Sequence, residues 1–179
     1  MEAGSHSEQK LDHSKFMKIA FTGGCACGAI RYESAAEPVM MLHCHCRDCQ
    51  RSSGGPFSPF VIEPAEAFKL LQGSPRFHAS PSARGGNTNR GFCPECGSPI
   101  LVKTDSNPDI VAIRTASLDD PSWFNLQVDV WTSDAHPWDQ MKSRVAQVRT
   151  VSDVMRQSRP DHIPLGSSKS LTAANVLAF

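Results

Sequence analysis

The chain has no excess of charge of either sign: 18 Lys and Arg stand against 18 Asp and Glu, and the formal net charge is +0. A nucleic-acid surface needs a basic excess or a basic patch, and neither is present, so no nucleic-acid partner is expected. Long apolar runs are missing too. Nothing approaches the ~18 residues that a membrane-spanning helix needs, and no membrane partner is expected. Residues 1–16 are polar and lack the apolar centre of an export signal, which points to a cytoplasmic location. Met17-Lys18-Ile19 reads as a natural start, and residues 1–17 as a leader or a disordered native tail. No internal repeat is visible.

Cysteine, by contrast, is plentiful and unevenly placed. All seven cysteines fall in three clusters: Cys25-x-Cys27, Cys44-x-Cys46-x₂-Cys49 and Cys93-x₂-Cys96. An odd number cannot pair completely into disulfides, and no export signal points to an oxidising compartment. At 179 residues the chain is long enough to bury a core without cross-links. Closely spaced thiols in a reducing compartment therefore read as metal ligands in preference to disulfides.

Short strands punctuated by turn residues run through most of the chain. Ile19–Thr22 and Ala29–Glu33 form a hairpin-like pair with the first cysteines near its turn. Pro38–Leu42 leads into the central cluster, and Pro56–Ile62 resumes as strand. Pro64–Leu71 reads as a helical turn or more. Ser74–Asn89 is rich in Ser, Pro, Gly and Asn, with a strand at Arg76–Ala79 inside it. Pro99–Lys103, Asp109–Thr115 and Leu126–Thr132 complete the strand set. Met141–Arg156 has a helical texture, and Pro160–Ser170 that of a flexible tail. The expected fold class is mainly β, with antiparallel sheets, over residues 18–138. Residues 139–179 are read as a C-terminal extension, partly helical or flexible.

Counting ligands organises the cysteines. Cys93-Pro94-Glu95-Cys96-Gly97 is a zinc-knuckle pattern, whose two sulfurs can both reach one ion at about 2.3 Å. A structural zinc takes four ligands, and Cys25 and Cys27, also followed by a glycine, are the natural second pair. That division leaves Cys44, Cys46 and Cys49, and three protein ligands are what a catalytic zinc keeps. Such a centre is a weak Lewis acid, but it can bind an incoming thiol and hold it ionised at neutral pH. Cys25, Cys27, Cys44 and Cys46 in one site, or one structural zinc with three spare cysteines, stay open on spacing alone. On an extended segment Cys44 and Cys46 share one face, and His43 and His45 take the other.

Three ordered motifs carry a resemblance. They are Gly24-Cys25-x-Cys27-Gly28-x-Ile30-Arg31-Tyr32, then Cys44-His45-Cys46-x₂-Cys49-x-Arg51, then Arg90-Gly91-Phe92-Cys93-x₂-Cys96-Gly97-Ser98. Over about residues 18–140, including Trp131 and Pro137-Trp138, the chain resembles the glutathione-dependent formaldehyde-activating (GFA) family. The resemblance implies an Mss4-like fold of short antiparallel sheets stapled by zinc. It implies two Zn²⁺ per chain, a structural one on Cys25, Cys27, Cys93 and Cys96 and a second on Cys44, Cys46 and Cys49. The activity it implies is that of a carbon–sulfur lyase, joining a glutathione-like thiol to a small aldehyde such as formaldehyde, or the reverse. The contrasting expectation is a non-catalytic Mss4-like interaction or chaperone module.

Around the second zinc, His45 is a candidate proton shuttle. Arg47, Arg51 and Arg90 are candidates to hold a substrate carboxylate. Trp123, Phe124 and Trp131 are candidate pocket walls, although the alternation of its strand favours core packing for Trp131.

Overall fold

The computed structural model describes residues 21–141, 145–150 and 153. In chain order the elements are β1 (Phe21–Gly24), β2 (Arg31–Ser34), β3 (Met40–Cys44), α1 (Arg47–Ser53), β4 (Ser58–Pro64), β5 (Phe68–Gln72), β6 (Arg76–Pro81), β7 (Asn87–Phe92), β8 (Pro99–Thr104), β9 (Asn107–Arg114), β10 (Val128–Val130) and β11 (Ala146–Val148). They form a small sheet, β1-β2-β5, and a large one in the order β11-β10-β3-β4-β9-β8-β7-β6. The mainly β expectation holds.

Alternation along the central strands gives the large sheet two buried faces. On β4, Phe60 and Ile62 point one way and Val61 the other; on β9, Ile110 and Ala112 oppose Val111 and Ile113. The first face gathers Leu42, Phe60, Ile62, Val102, Val128 and Val130 around Cys44 and Cys49. The second gathers Phe21, Ile30 and Tyr32 of the small-sheet region with Leu101, Val111 and Ile113, around Cys25 and Cys93. One sheet thus separates the two groups of thiols. Burial on both faces also explains why Ile110–Ile113 is an unbroken apolar run rather than an alternating one.

Several sequence expectations are corrected. Pro64–Leu71 is not helical beyond one 3₁₀ turn at Ala65–Ala67. Phe68–Gln72 is instead a strand paired antiparallel with β2, since so short an apolar segment gains more from a sheet edge than from an isolated helical turn. The polar stretch before Cys93 contains β7, which pairs with β6 on one side and β8 on the other. Its start is pinned by Asp105, whose carboxylate accepts from the Asn87 amide (2.8 Å) and the Asn89 side chain (2.8 Å). The large sheet is not wholly antiparallel, because β10 runs parallel to both β3 and β11. β11 lies in the stretch expected to be helical. Residues 1–17, Ile19-Ala20 and Pro160–Ser170 lie outside the described residues, as does most of 151–156. Among the described residues no helix is long and apolar enough to cross a membrane.

Candidate metal centres and the adjoining pocket

The first cluster joins two tight turns. In one, the Gly28 amide bonds the Cys25 carbonyl (3.1 Å); in the other, the Gly97 amide bonds the Cys93 carbonyl (2.9 Å). Gly28 and Gly97 have φ of 79° and 76°, a left-handed backbone that a side chain would strain. Cys25, Cys27, Cys93 and Cys96 bring their sulfurs within 4.8 Å of one another. Cys25 Sγ and Cys27 Sγ are 3.5 Å apart, and Cys27 Sγ and Cys93 Sγ 3.8 Å. Four sulfurs each ~2.3 Å from a tetrahedral ion sit at about this spacing, so the set fits a closed metal site. Ser98 stitches the turns together: its hydroxyl accepts from the Ala26 amide (3.2 Å) and lies 3.2 Å from Cys96 Sγ. That hydroxyl, aided by the Ser98 amide, lowers the Cys96 thiol to about 5.

The second cluster forms where β3 gives way to α1. Cys44 ends the strand, Cys46 caps the helix by accepting from the Cys49 amide (3.4 Å), and Cys49 sits in the first turn. Their three sulfurs also lie within 4.8 Å of one another. Without a cation, three thiols this close cannot all ionise. Hydrogen bonds from Cys44 and Cys49 lower Cys46 to about 3 despite its burial, with Arg90 adding to the effect. The bonds to Cys46 and Cys49, together with burial, push Cys44 well up. For Cys49 the bond with Cys44 lowers the thiol, but the bond to Cys46 and burial outweigh it, and it rises to about 12. One thiolate shared among three sulfurs is a donor set that a divalent ion would complete.

A pocket of about 260 Å³ opens onto this triad, lined by all three cysteines and by Phe60, Val102, Trp131, Arg47, Arg84 and Arg90, among others. Arg47 Nη1 is held by Gln50 Oε1 and lies 2.8 Å from His136 Nε2. Arg90 donates to the Ser80 hydroxyl (2.5 Å) and lies 3.6 Å from the Asp48 carboxylate. Two of the three expected arginines are therefore brought to the pocket. Arg51 is not: its side chain is 72% exposed and its nearest charge is Asp48, at 3.8 Å.

His45, expected as a proton shuttle, is not on the pocket wall either. Its ring is completely buried, with Nε2 3.0 Å from Asp129 Oδ1 and Nδ1 2.9 Å from Asp139 Oδ2. The strand alternation anticipated at Cys44 and Cys46 sends the imidazole away from the sulfurs. Trp131 meets both expectations, packing against the core cluster around Cys44 and Phe60 and lining the pocket. Its φ of 60° makes it the one non-glycine residue with left-handed backbone among the described residues. The strand stops at Val130, and the indole joins the pocket lining instead of continuing the alternation. Trp123 and Phe124 pack against the opposite core.

Other contributors had gone unnoticed. Arg114 is buried beneath the triad, over the Phe60 ring (4.6 Å), and donates to the Ser58 and Ser52 hydroxyls. Both of those serines donate to the Cys49 carbonyl, at 2.9 and 3.2 Å. Gln50 donates to the carbonyls of His45 (2.6 Å) and Asp134 (3.0 Å), tying the cysteine turn to the segment after Trp131. A charge closing the apolar run Ile110–Ile113 was the sequence signal for Arg114. A polar residue between Cys49 and Arg51 gave none for Gln50.

The fold and the two thiol clusters define a mainly β domain able to carry metal ions on cysteine. The family model described as glutathione-dependent formaldehyde-activating enzyme matches residues 20–134, and the chain belongs to that family. A crystal structure of a protein from Rhodobacter sphaeroides is similar at a TM-score of 0.46 and 18% identity, covering 71% of this chain and 99% of that one.

Proposed function

We propose that the protein is a zinc-dependent enzyme of the carbon–sulfur lyase type, adding a glutathione-like thiol to a small aldehyde such as formaldehyde, or catalysing the reverse. The observation that carries this reading is the pocket: three cysteines at its base, an apolar wall, and arginines at its side. Cys25, Cys27, Cys93 and Cys96 would hold one zinc as a closed structural site. Cys44, Cys46 and Cys49 would hold a second, which when bound supplies a position that takes up a thiol in its ionised form.

The residues of the chain then bind and orient. Arg90 and Arg47, already braced by Ser80 and Gln50, present guanidinium groups to a carboxylate of the thiol substrate. Phe60, Val102 and Trp131 provide an apolar wall that displaces water from the sulfur and the aldehyde. In the reaction the substrate sulfur attacks the carbonyl carbon, one C–S bond forms, and the C=O π pair moves to oxygen. The thiol gives up its proton to water as it ionises, the oxygen takes one back from water, and the product is the S-hydroxymethyl hemithioacetal. Nothing is oxidised or reduced. Arg114, working through Ser52 and Ser58, holds the Cys49 backbone so that the triad keeps its shape. A reducing compartment such as the cytoplasm suits seven free thiols.

Two-dimensional exchange NMR of formaldehyde with glutathione tests the proposal. The protein should accelerate exchange above the uncatalysed background, and Cys46→Ser should abolish the acceleration. Exchange at the background rate with fully metallated protein would overturn the formaldehyde assignment and favour a binding module.

A further inference from the structure

A third group of ligating side chains lies on the face of β3 turned away from the thiol triad. The parallel pairing of β10 with β3 sets Asp129 directly beside His43, and His45 follows two residues along on the same face. His43 Nδ1 is 3.5 Å and His45 Nε2 3.0 Å from the same Asp129 oxygen, and all three ligating atoms lie within 4.8 Å of one another. Donors bound to one ion at ~2.1 Å are spaced at about these distances.

Three further features mark the group as more than a hydrogen-bonded core network. The second carboxylate oxygen of Asp129 is buried and has no hydrogen-bond partner among the described residues. The far nitrogen of His45 faces a second buried carboxylate, Asp139 Oδ2, at 2.9 Å. A carboxylate behind a histidine is the support that metal-ligating imidazoles commonly have, because it fixes the ring and raises its basicity. Finally, His43 is prearranged and reachable. Its ring lies nearly parallel to Phe57 (centroids 4.0 Å apart) and Phe124 (5.8 Å), and its side chain is 18% exposed.

We propose that His43, His45 and Asp129 form a third metal site, with Asp139 behind His45, for a divalent ion of the borderline class such as zinc or ferrous iron. Two imidazoles and a carboxylate suit that class, whereas the thiol clusters suit softer ligation. The ion would join β3 to β10, with the Asp139 segment held through His45, directly behind the turn that presents Cys44 and Cys46.

The test compares wild-type protein with His43→Phe and Asp129→Asn. His43→Phe removes a ligand but keeps an aromatic ring between its stacking partners, so the fold is retained even if Asp129→Asn proves unstable. Each protein is equilibrated with excess Co²⁺, desalted, and analysed for total metal and for its absorption spectrum. Wild type should hold one more metal ion per chain than His43→Phe, and the two spectra should show the same cobalt–thiolate charge-transfer intensity. Equal metal content in the two proteins would overturn the proposal and leave the group as a buried His–Asp network. Loss of thiolate absorption in His43→Phe would overturn it too, by assigning the missing ion to a cysteine cluster. The comparison is of ions lost, so its outcome is independent of whether the thiol triad performs aldehyde chemistry.

Discussion

The two cysteine clusters differ chiefly in what lies next to them. The four-thiol cluster is closed on itself: two glycine turns face each other, and Ser98 spans them. The three-thiol cluster shares its face of the sheet with a pocket, and the serines beneath it donate to the Cys49 carbonyl while Arg47 and Arg90 are braced by Gln50 and Ser80 at the pocket. Residues of one type, at nearly the same spacing, gather into a four-sulfur group on one side of the sheet and line a cavity on the other. Proximity of sulfurs does not separate the two clusters; ligand number and the adjoining pocket do.

The most severe way to break this contrast is to remove a ligand from the closed site. Structural zinc contributes on the order of 10 kcal/mol to folding in small zinc domains, and whole domains are stable by only about 5–15. Cys93→Ser, at a buried position, should therefore leave no cooperative thermal transition in circular dichroism. Cys46→Ser should retain the transition and lose one metal ion. Its activity in the exchange assay should fall further than the ~10–100-fold that losing a supporting partner of a ligand costs. A chelator should reproduce the second result without mutation, taking the three-thiol ion before the fold is lost. Simultaneous loss of activity and circular dichroism would erase the distinction.

Glu63 sharpens the contrast on the small-sheet side, where it is buried and accepts a hydrogen bond from Ser34. Burial pushes its carboxyl up to about 7, against the pull of the Ser34 hydroxyl. Between the ordinary carboxyl value and pH 7 the folded chain binds the extra proton, so stability falls as pH rises through that window. Glu63→Gln removes this dependence. Its stability advantage over wild type, read from denaturant midpoints, should be near zero at pH 4.5 and grow to about 3 kcal/mol by pH 8. A gap that stays constant with pH would show that Glu63 titrates in the folded chain as an ordinary carboxyl. The smallest effect is expected at the pocket rim. Arg90→Gln should raise the KM for the thiol about tenfold, or ~1.4 kcal/mol, with kcat and melting temperature little changed.

The legible part of the fold was the part set by local pattern. The knuckle at Cys93–Gly97 and the turn at Cys25–Gly28 announce their geometry through glycine spacing, and Cys44 and Cys46 share a face because a strand alternates. β5 and β7 were not legible. Phe68-Lys69-Leu70-Leu71 is compatible with a helix turn, and Asn87-Thr88-Asn89 with a loop, until neighbouring strands claim their backbone hydrogen bonds. The core packing of Trp131 was legible, but nothing local says that the strand ends one residue earlier, in left-handed backbone. His45 and Arg51 are candidates for the pocket from their position in the motif, but strand alternation turns one away from the pocket and the helix surface exposes the other.

By itself the sequence determined which thiols are local neighbours, because short-range spacing is a property of the chain; that Cys25 and Cys27 meet Cys93 and Cys96 rather than Cys44 and Cys46 was decided by the fold. Only the tertiary structure decided what each cluster meets. Arg114 arrives under the triad from a strand 65 residues beyond Cys49, and Asp129 reaches His43 through a parallel pairing that no local pattern encodes. Sheet order and register place a pocket on one cluster and a second knuckle on the other, since pairing between distant strands depends on how all their faces are buried at once.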